Sequence, residues 1–228
     1  MLSFQELTKI YPIKVPGLVK ATGEVQAGQT IGVLGAYGAG KTTLLKLLAG
    51  LERPTNGQIL WDEALQALPK PQRLGFMPCG FAFPPDMKPR EWLLYVAALQ
   101  GLKVEQAKAR VEELITLSQL ETWLDKPFPL LNRLAKQTVA YAQSQILAPP
   151  LLLMDEPLLE LDYRMAGRFW QMVQASRPQG QAIVFTAKRR SDLPPFTDLV
   201  LLLEHGNLRW TRPMNSLSAH ELDLLDER

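Results

Sequence analysis

Cysteine is almost missing from this 228-residue chain, which has only Cys79. One thiol excludes an internal disulfide and fits a reducing compartment. Long apolar stretches are also missing. The longest runs, PPLLLM at 149–154 and LVLLL at 199–203, fall far short of the ~20 residues a membrane-spanning helix needs. The opening MLSFQELTKIYP carries charge early and lacks the apolar core of a signal peptide, so a cytoplasmic location is expected. Charge of one sign is lacking too. With 25 basic and 23 acidic side chains, the net charge is +2. That offers no broad attraction to nucleic acid, and no nucleic-acid partner is expected. No internal repeat or low-complexity segment is evident.

What is present is an alternation of strand and helix signals. LSFQELTKIYP reads as a strand, and GEVQAGQTIGVLG as a turn followed by a buried strand. KTTLLKLLAGL then carries leucines at helical spacing. RPTNGQILWDE and RLGFMPC each read as a short strand. From about residue 84 to 134 the pattern turns helical, with KPREWLLYVAALQGL and VEQAKARVEELITLSQL amphipathic and no strand between them. NRLAKQTVAYAQSQIL reads as another helix, with Asn132 as its N-cap. PLLLMDEP, QAIVFTA and TDLVLLLEHGNLRW supply further strands. Strands alternating with helices imply a mostly parallel sheet interrupted by a helical insertion.

The densest chemical signal is GAYGAGKTT at 35–43. Gly35, Gly40, Lys41 and Thr42 satisfy G-x-x-x-x-G-K-[ST], the phosphate-binding loop. Its glycines let the backbone curl so that N–H groups point at phosphate oxygens, and the next helix adds its positive end. In that arrangement Gly35, Ala36, Tyr37, Gly38, Ala39, Gly40, Lys41, Thr42 and Thr43 line the phosphates. Lys41 reaches the outer phosphates and the Thr42 hydroxyl binds Mg²⁺. A glycine-rich turn capping a helix would need none of this, but a strand before and a helix after are the context the motif requires. LLLMDEP adds Asp155 at the end of a buried strand, placed to hold Mg²⁺. Glu156 follows, placed as general base for an attacking water.

With both elements and a helical insertion between them, the chain resembles the ATP-binding subunit of an ABC transporter over about residues 2–208. The resemblance implies a P-loop α/β core with a small antiparallel β region at the N-terminus and an inserted helical subdomain, all in one domain over 1–228. It implies ATP and Mg²⁺ as ligands. Tyr11 of LTKIYP falls where the family stacks an aromatic on adenine, though it also reads as a strand-packing residue. DEPLLELD resembles the stretch that ends in the D-loop aspartate, here Asp162. LLLEHGNL resembles a late hairpin with His205 in its turn.

Three family positions depart from the pattern. The Q-loop glutamine is replaced by Cys79, a soft and poor ligand for Mg²⁺; it reads as either a small packing residue or a reactive thiol. The LSGGQ signature falls on Leu131, Asn132, Arg133, Leu134 and Ala135. There Leu134 sets a branched side chain where glycine lets a partner's phosphate approach, and Arg133 reads as either a phosphate cation or a solvated side chain. The switch histidine aligns with Lys188 of KRR, which has no acceptor and reads as either a γ-phosphate clamp or part of a solvated run. The resemblance implies a membrane-spanning permease and a second ATP-binding subunit as partners, a heterodimer before a homodimer, at the cytoplasmic face of a membrane. The altered positions imply slow or partner-dependent hydrolysis. The alternative is a scaffold that binds ATP without hydrolysing it.

Overall fold

The computed structural model describes residues 1–12 and 16–217. Strand β1 (Leu2–Ile10) buries Leu2, Phe4 and Leu7. It pairs antiparallel with β2 (Pro16–Val25) on one side and β4 (Asn56–Trp61) on the other. Gly23 to Val25, expected in a turn, instead end β2, and the turn follows at 26–29. Gly23 serves packing: a Cβ there would stand 2.6 Å from the Phe4 ring. The glycine admits a buried aromatic on the neighbouring strand and does not mark a bend.

The remaining strands are β3 (Thr30–Leu34), β5 (Leu74–Met77), β6 (Leu151–Met154), β7 (Ala182–Ala187), β8 (Leu199–Glu204) and β9 (Asn207–Pro213). Together they form a nine-stranded sheet in the order β4-β1-β2-β9-β8-β3-β7-β6-β5. β3, β5, β6 and β7 run parallel, and β3 is also parallel to β8. The fold is thus a P-loop α/β cassette, mostly parallel, with an antiparallel region at its start. Within the sheet that region pairs with the rest at β2–β9, Val19 opposite Asn207, and it shares a core with β3. Every residue of β3, β6 and β7 is buried, as expected of strands covered on both faces.

Helices cover the sheet. α1 (Lys41–Leu48) packs Leu44, Leu45, Leu47 and Leu48 on the side of β1 and β2. Two single-turn helices, α2 (Glu63–Gln66) and α3 (Lys70–Arg73), lead into β5. α4 (Pro89–Leu99) and α5 (Val104–Leu117) share a core of Leu93, Ala97, Val111 and Leu114 with Val139 and Ala142 of α6 (Arg133–Ser144). The other side of α6, through Ala140 and Tyr141, packs against the sheet. One helix therefore joins the helical region to the sheet.

α7 (Tyr163–Ser176) buries Phe169, Trp170 and Val173. No helix is expected here from the sequence, although the apolar stripe is regular; Gly167 is exposed, off the face that Phe169, Trp170 and Val173 bury.

Asn132 does cap α6: its side chain accepts from the Ala135 N–H at 2.8 Å. Asn132→Ala should cost about 1 kcal/mol of stability, seen as a lower urea midpoint at unchanged slope.

Candidate functional site

In a parallel sheet the residues that follow each strand open onto one edge, where ligands collect. Leu34 lies opposite Ala187, Phe185 opposite Met154, and Met154 opposite Met77. The register therefore lines up the exits of β3, β7, β6 and β5. Those exits carry the 35–43 loop, Lys188, the Asp155–Glu156 pair and Cys79. Positions far apart in sequence become neighbours through strand order alone.

The loop leaves β3 and enters α1 at Lys41. Gly40, at φ +104, is the N-cap residue and supplies no side-chain cap to the helix. The first turn of α1 holds no acidic residue, so the amide groups that open the helix face the site uncapped. Two glycines are required by contact. A Cβ on Gly35 would lie 2.4 Å from the Leu203 carbonyl oxygen, and one on Gly40 2.3 Å from that of Gly17. Ala39 is buried, while Ala36, Tyr37 and Gly38 lie open to solvent. The buried Lys41 ammonium donates to the Gly35 and Ala36 carbonyls at 2.7 and 2.9 Å. Burial pushes its pKa down, Glu156 and Asp155 oppose this, and Lys188 adds to it.

Thr42 and Asp155 are 113 residues apart, yet the Thr42 hydroxyl lies 2.9 and 3.1 Å from the two Asp155 carboxylate oxygens. A hydroxyl and a carboxylate are hard oxygen donors suited to Mg²⁺, which takes few protein ligands and fills its shell with phosphate and water. Their proximity fits that ion. Among the described residues no cluster of three or more His, Cys, Asp or Glu side chains offers a competing metal site. Thr186, missed by sequence reasoning, organises the pair. Its hydroxyl donates to Asp155 at 2.8 Å and accepts from the Glu156 N–H at 2.7 Å. The only signal for it in the sequence is its place at the end of β7 in FTAK. Glu156 itself sits at φ +45, a left-handed geometry that costs a non-glycine residue about 1 kcal/mol or more. Functional sites often carry such strain.

Lys188 is exposed, yet it is paired. Its ammonium meets Glu156 Oε2 at 2.8 Å, and that bond raises its pKa. The next residue, Arg189, pairs with Asp192. Cys79 is not a packing residue, because it is exposed. Partial enclosure of its sulfur, with Glu156 and Asp155 nearby, pushes the thiol pKa up. That keeps it protonated and a poor nucleophile. Its sulfur lies 4.0 Å from Glu156 Oε2.

The signature segment opens α6. Leu131 and Ala135 are buried, whereas Asn132 and Arg133 are exposed. Arg133 is not simply solvated: it pairs at 2.6 Å with Glu160, a partner that sequence reasoning missed. Leu134, expected to obstruct an approaching phosphate, is partly buried and packs against the core cluster that includes Met77, Ala140 and Met154. On the second residue of an amphipathic helix, the apolar face wins the side chain. Asp162 caps α7 by accepting from the Met165 N–H at 2.8 Å. The Tyr11 hydroxyl lies 3.3 Å from the Thr43 hydroxyl and 3.2 Å from Glu52, and a Cβ on Gly17 would touch its ring. The ring is thus held beside α1. His205 lies in the β8–β9 turn at φ +48.

Comparison with known proteins agrees with this geometry. The family model described as ABC transporter matches residues 18–159, more than half of the chain. A probable sulfate/thiosulfate import ATP-binding protein of Chlorella vulgaris is 31% identical over 201 residues, covering 86% of this chain and 85% of its own. The ABC transporter ATP-binding protein NatA of Bacillus subtilis is 29% identical, covering 86% and 82%. The solved structure of cbiO1 from Clostridium perfringens superposes with a TM-score of 0.83 at 22% identity, covering 96% of this chain and 91% of that one. A bacterial ABC transporter cassette solved as a dimer gives 0.80 at 20% identity, covering 95% and 100%. With phosphate-loop motif, sheet order and sequence likeness in agreement, the chain belongs to the ABC transporter family, as one of its ATP-binding subunits.

Proposed function

We propose that this subunit binds Mg-ATP at the 35–43 loop and couples ATP-gated pairing with a second ATP-binding subunit to a membrane-spanning permease. The observation that carries the reading is the meeting of Thr42 and Asp155 beneath an uncapped helix start. Gly35 to Thr43 would cradle the phosphates, with Lys41 leaving its carbonyl partners for the outer phosphates. Thr42 and Asp155 would hold Mg²⁺, which supplies charge neutralisation at the phosphates. Tyr11 would flank the base, and Asp162 would serve the subunit interface. Glu156 would take a proton from the water that attacks the γ-phosphorus as the bond to the bridging oxygen breaks. The dimeric relative in fold supports pairing. No helix among the described residues is long and apolar enough to cross a membrane, which fits attachment at the cytoplasmic face through the permease.

Slow turnover by the isolated protein belongs to this reading. In a homodimer each nucleotide would face Asn132, Arg133 and Leu134 in place of serine and two glycines. Losing one pre-organised donor costs about 100- to 1000-fold in rate. Purified protein should therefore bind Mg-ATP yet turn over well below about 10 per second, the middle of the enzyme scale; brisk hydrolysis without another subunit would sink this view. A heterodimer with a fuller signature would restore the rate. The scaffold reading, binding without hydrolysis, is favoured by the occupation of Glu156 by Lys188.

A further inference from the structure

Glu156 and Lys188 follow adjacent parallel strands, and their contact falls on the carboxylate proposed to accept a proton from water. The Lys188 ammonium, 2.8 Å from Glu156 Oε2, occupies one of the carboxylate's acceptor sites and makes the group a weaker base. The Cys79 sulfur stands 4.0 Å from the same oxygen. The two partners differ in freedom: the Glu156 side chain is 16% exposed and that of Lys188 44%. The lysine is the member that can swing away. It also borders two cavities. One, of about 710 Å³, it shares with Glu156, Ala36 and Tyr37; the other, of about 460 Å³, it shares with the loop from Gly35 to Ala39. One ammonium on a flexible four-carbon stem thus lies within reach of both Glu156 and an anion on the loop.

We propose that Lys188 is a positioning residue that masks Glu156 and exchanges it for a γ-phosphate, so that only a nucleoside triphosphate unmasks the base. The proposal rests on the loop and Glu156 roles given above. A diphosphate offers no third phosphate, and the pair stays closed. The exchange has a binding cost. A triphosphate must break the ion pair before it gains the lysine, whereas a diphosphate breaks nothing. Removing the charge of Glu156 therefore tightens triphosphate binding alone, and only while Lys188 is present.

The test is equilibrium titration of wild type, E156Q, K188M and the double variant with Mg-ADP and with Mg-AMPPNP, a non-hydrolysable triphosphate. E156Q should tighten Mg-AMPPNP roughly three- to five-fold, the scale of a partly exposed ion pair, and leave Mg-ADP unchanged. In the K188M background that gain should vanish, and in K188R, which keeps the cation, it should return. Equal tightening with and without Lys188, or equal tightening of Mg-ADP, overturns the exchange while the loop reading stands. Wild type that binds neither nucleotide overturns both.

Discussion

Lys41→Ala should weaken Mg-ATP binding by about 100-fold or more, measured by titration calorimetry. The lysine supplies the buried cation of the loop, and charge-assisted bonds to phosphate contribute about 1.5–3 kcal/mol each. Removing two such bonds corresponds to roughly two or more decades of affinity. Stability should move little by comparison. In the chain as folded, the ammonium donates to two loop carbonyls, and Ala36, which carries one of them, is exposed and can turn to water. About 1 kcal/mol of lost stability would lower Tm by roughly 2–4 °C for a chain of this size. Affinity loss with a nearly intact melting curve is the signature of a phosphate ligand. Unchanged affinity would show that the loop does not cradle the phosphates, and with it the proposed function would fall.

The parts of the site legible in the sequence are those in which one short stretch sets the backbone geometry. GAYGAGKTT dictates a loop that only glycine can follow at Gly35 and Gly40, where a side chain would strike a carbonyl. LLLMDEP places Asp155 at a strand end because four apolar residues fill a buried strand and the first acid must leave it. The cap at Asn132 is legible for the same local reason. What stays hidden depends on strand order. Thr186 reaches Asp155 because β7 lies beside β6, and nothing in FTAK announces that neighbour. Lys188 meets Glu156 for the same reason, so a lysine in a basic run looks unpaired until the sheet is assembled. Leu134 has a second role that the signature pattern does not show. On an amphipathic helix start, the residue that replaces a glycine can pack part of its side chain on the core. α7 is no such case: its stripe of Phe169, Trp170, Met172 and Val173 is regular, and Gly167 sits on the exposed side with open space around it.

The partial burial of Leu134 decides how two substitutions should compare. Glu156→Gln removes the only proposed proton acceptor for the attacking water and should lower whatever ATPase the protein shows by about 100-fold or more, the usual worth of a positioned base. Leu134→Gly, which recreates the family's residue at one signature position, should raise the rate far less. The glycine frees little space, because the partly buried leucine already packs against the core cluster. It also removes apolar contact from the start of α6 and adds backbone freedom there, at a cost of roughly 1–2 kcal/mol. The exposed Arg133, tied to Glu160, still occupies the other glycine position. Steady-state ATPase on both variants, with urea melts alongside, separates the chemistry from the fold. Should Glu156→Gln leave the rate of a complex unchanged, while the same change in its companion subunit abolishes it, this chain would be the regulatory, non-hydrolysing half. The ion pair between Lys188 and Glu156 would then be a lasting lock on the base, with no exchange to release it.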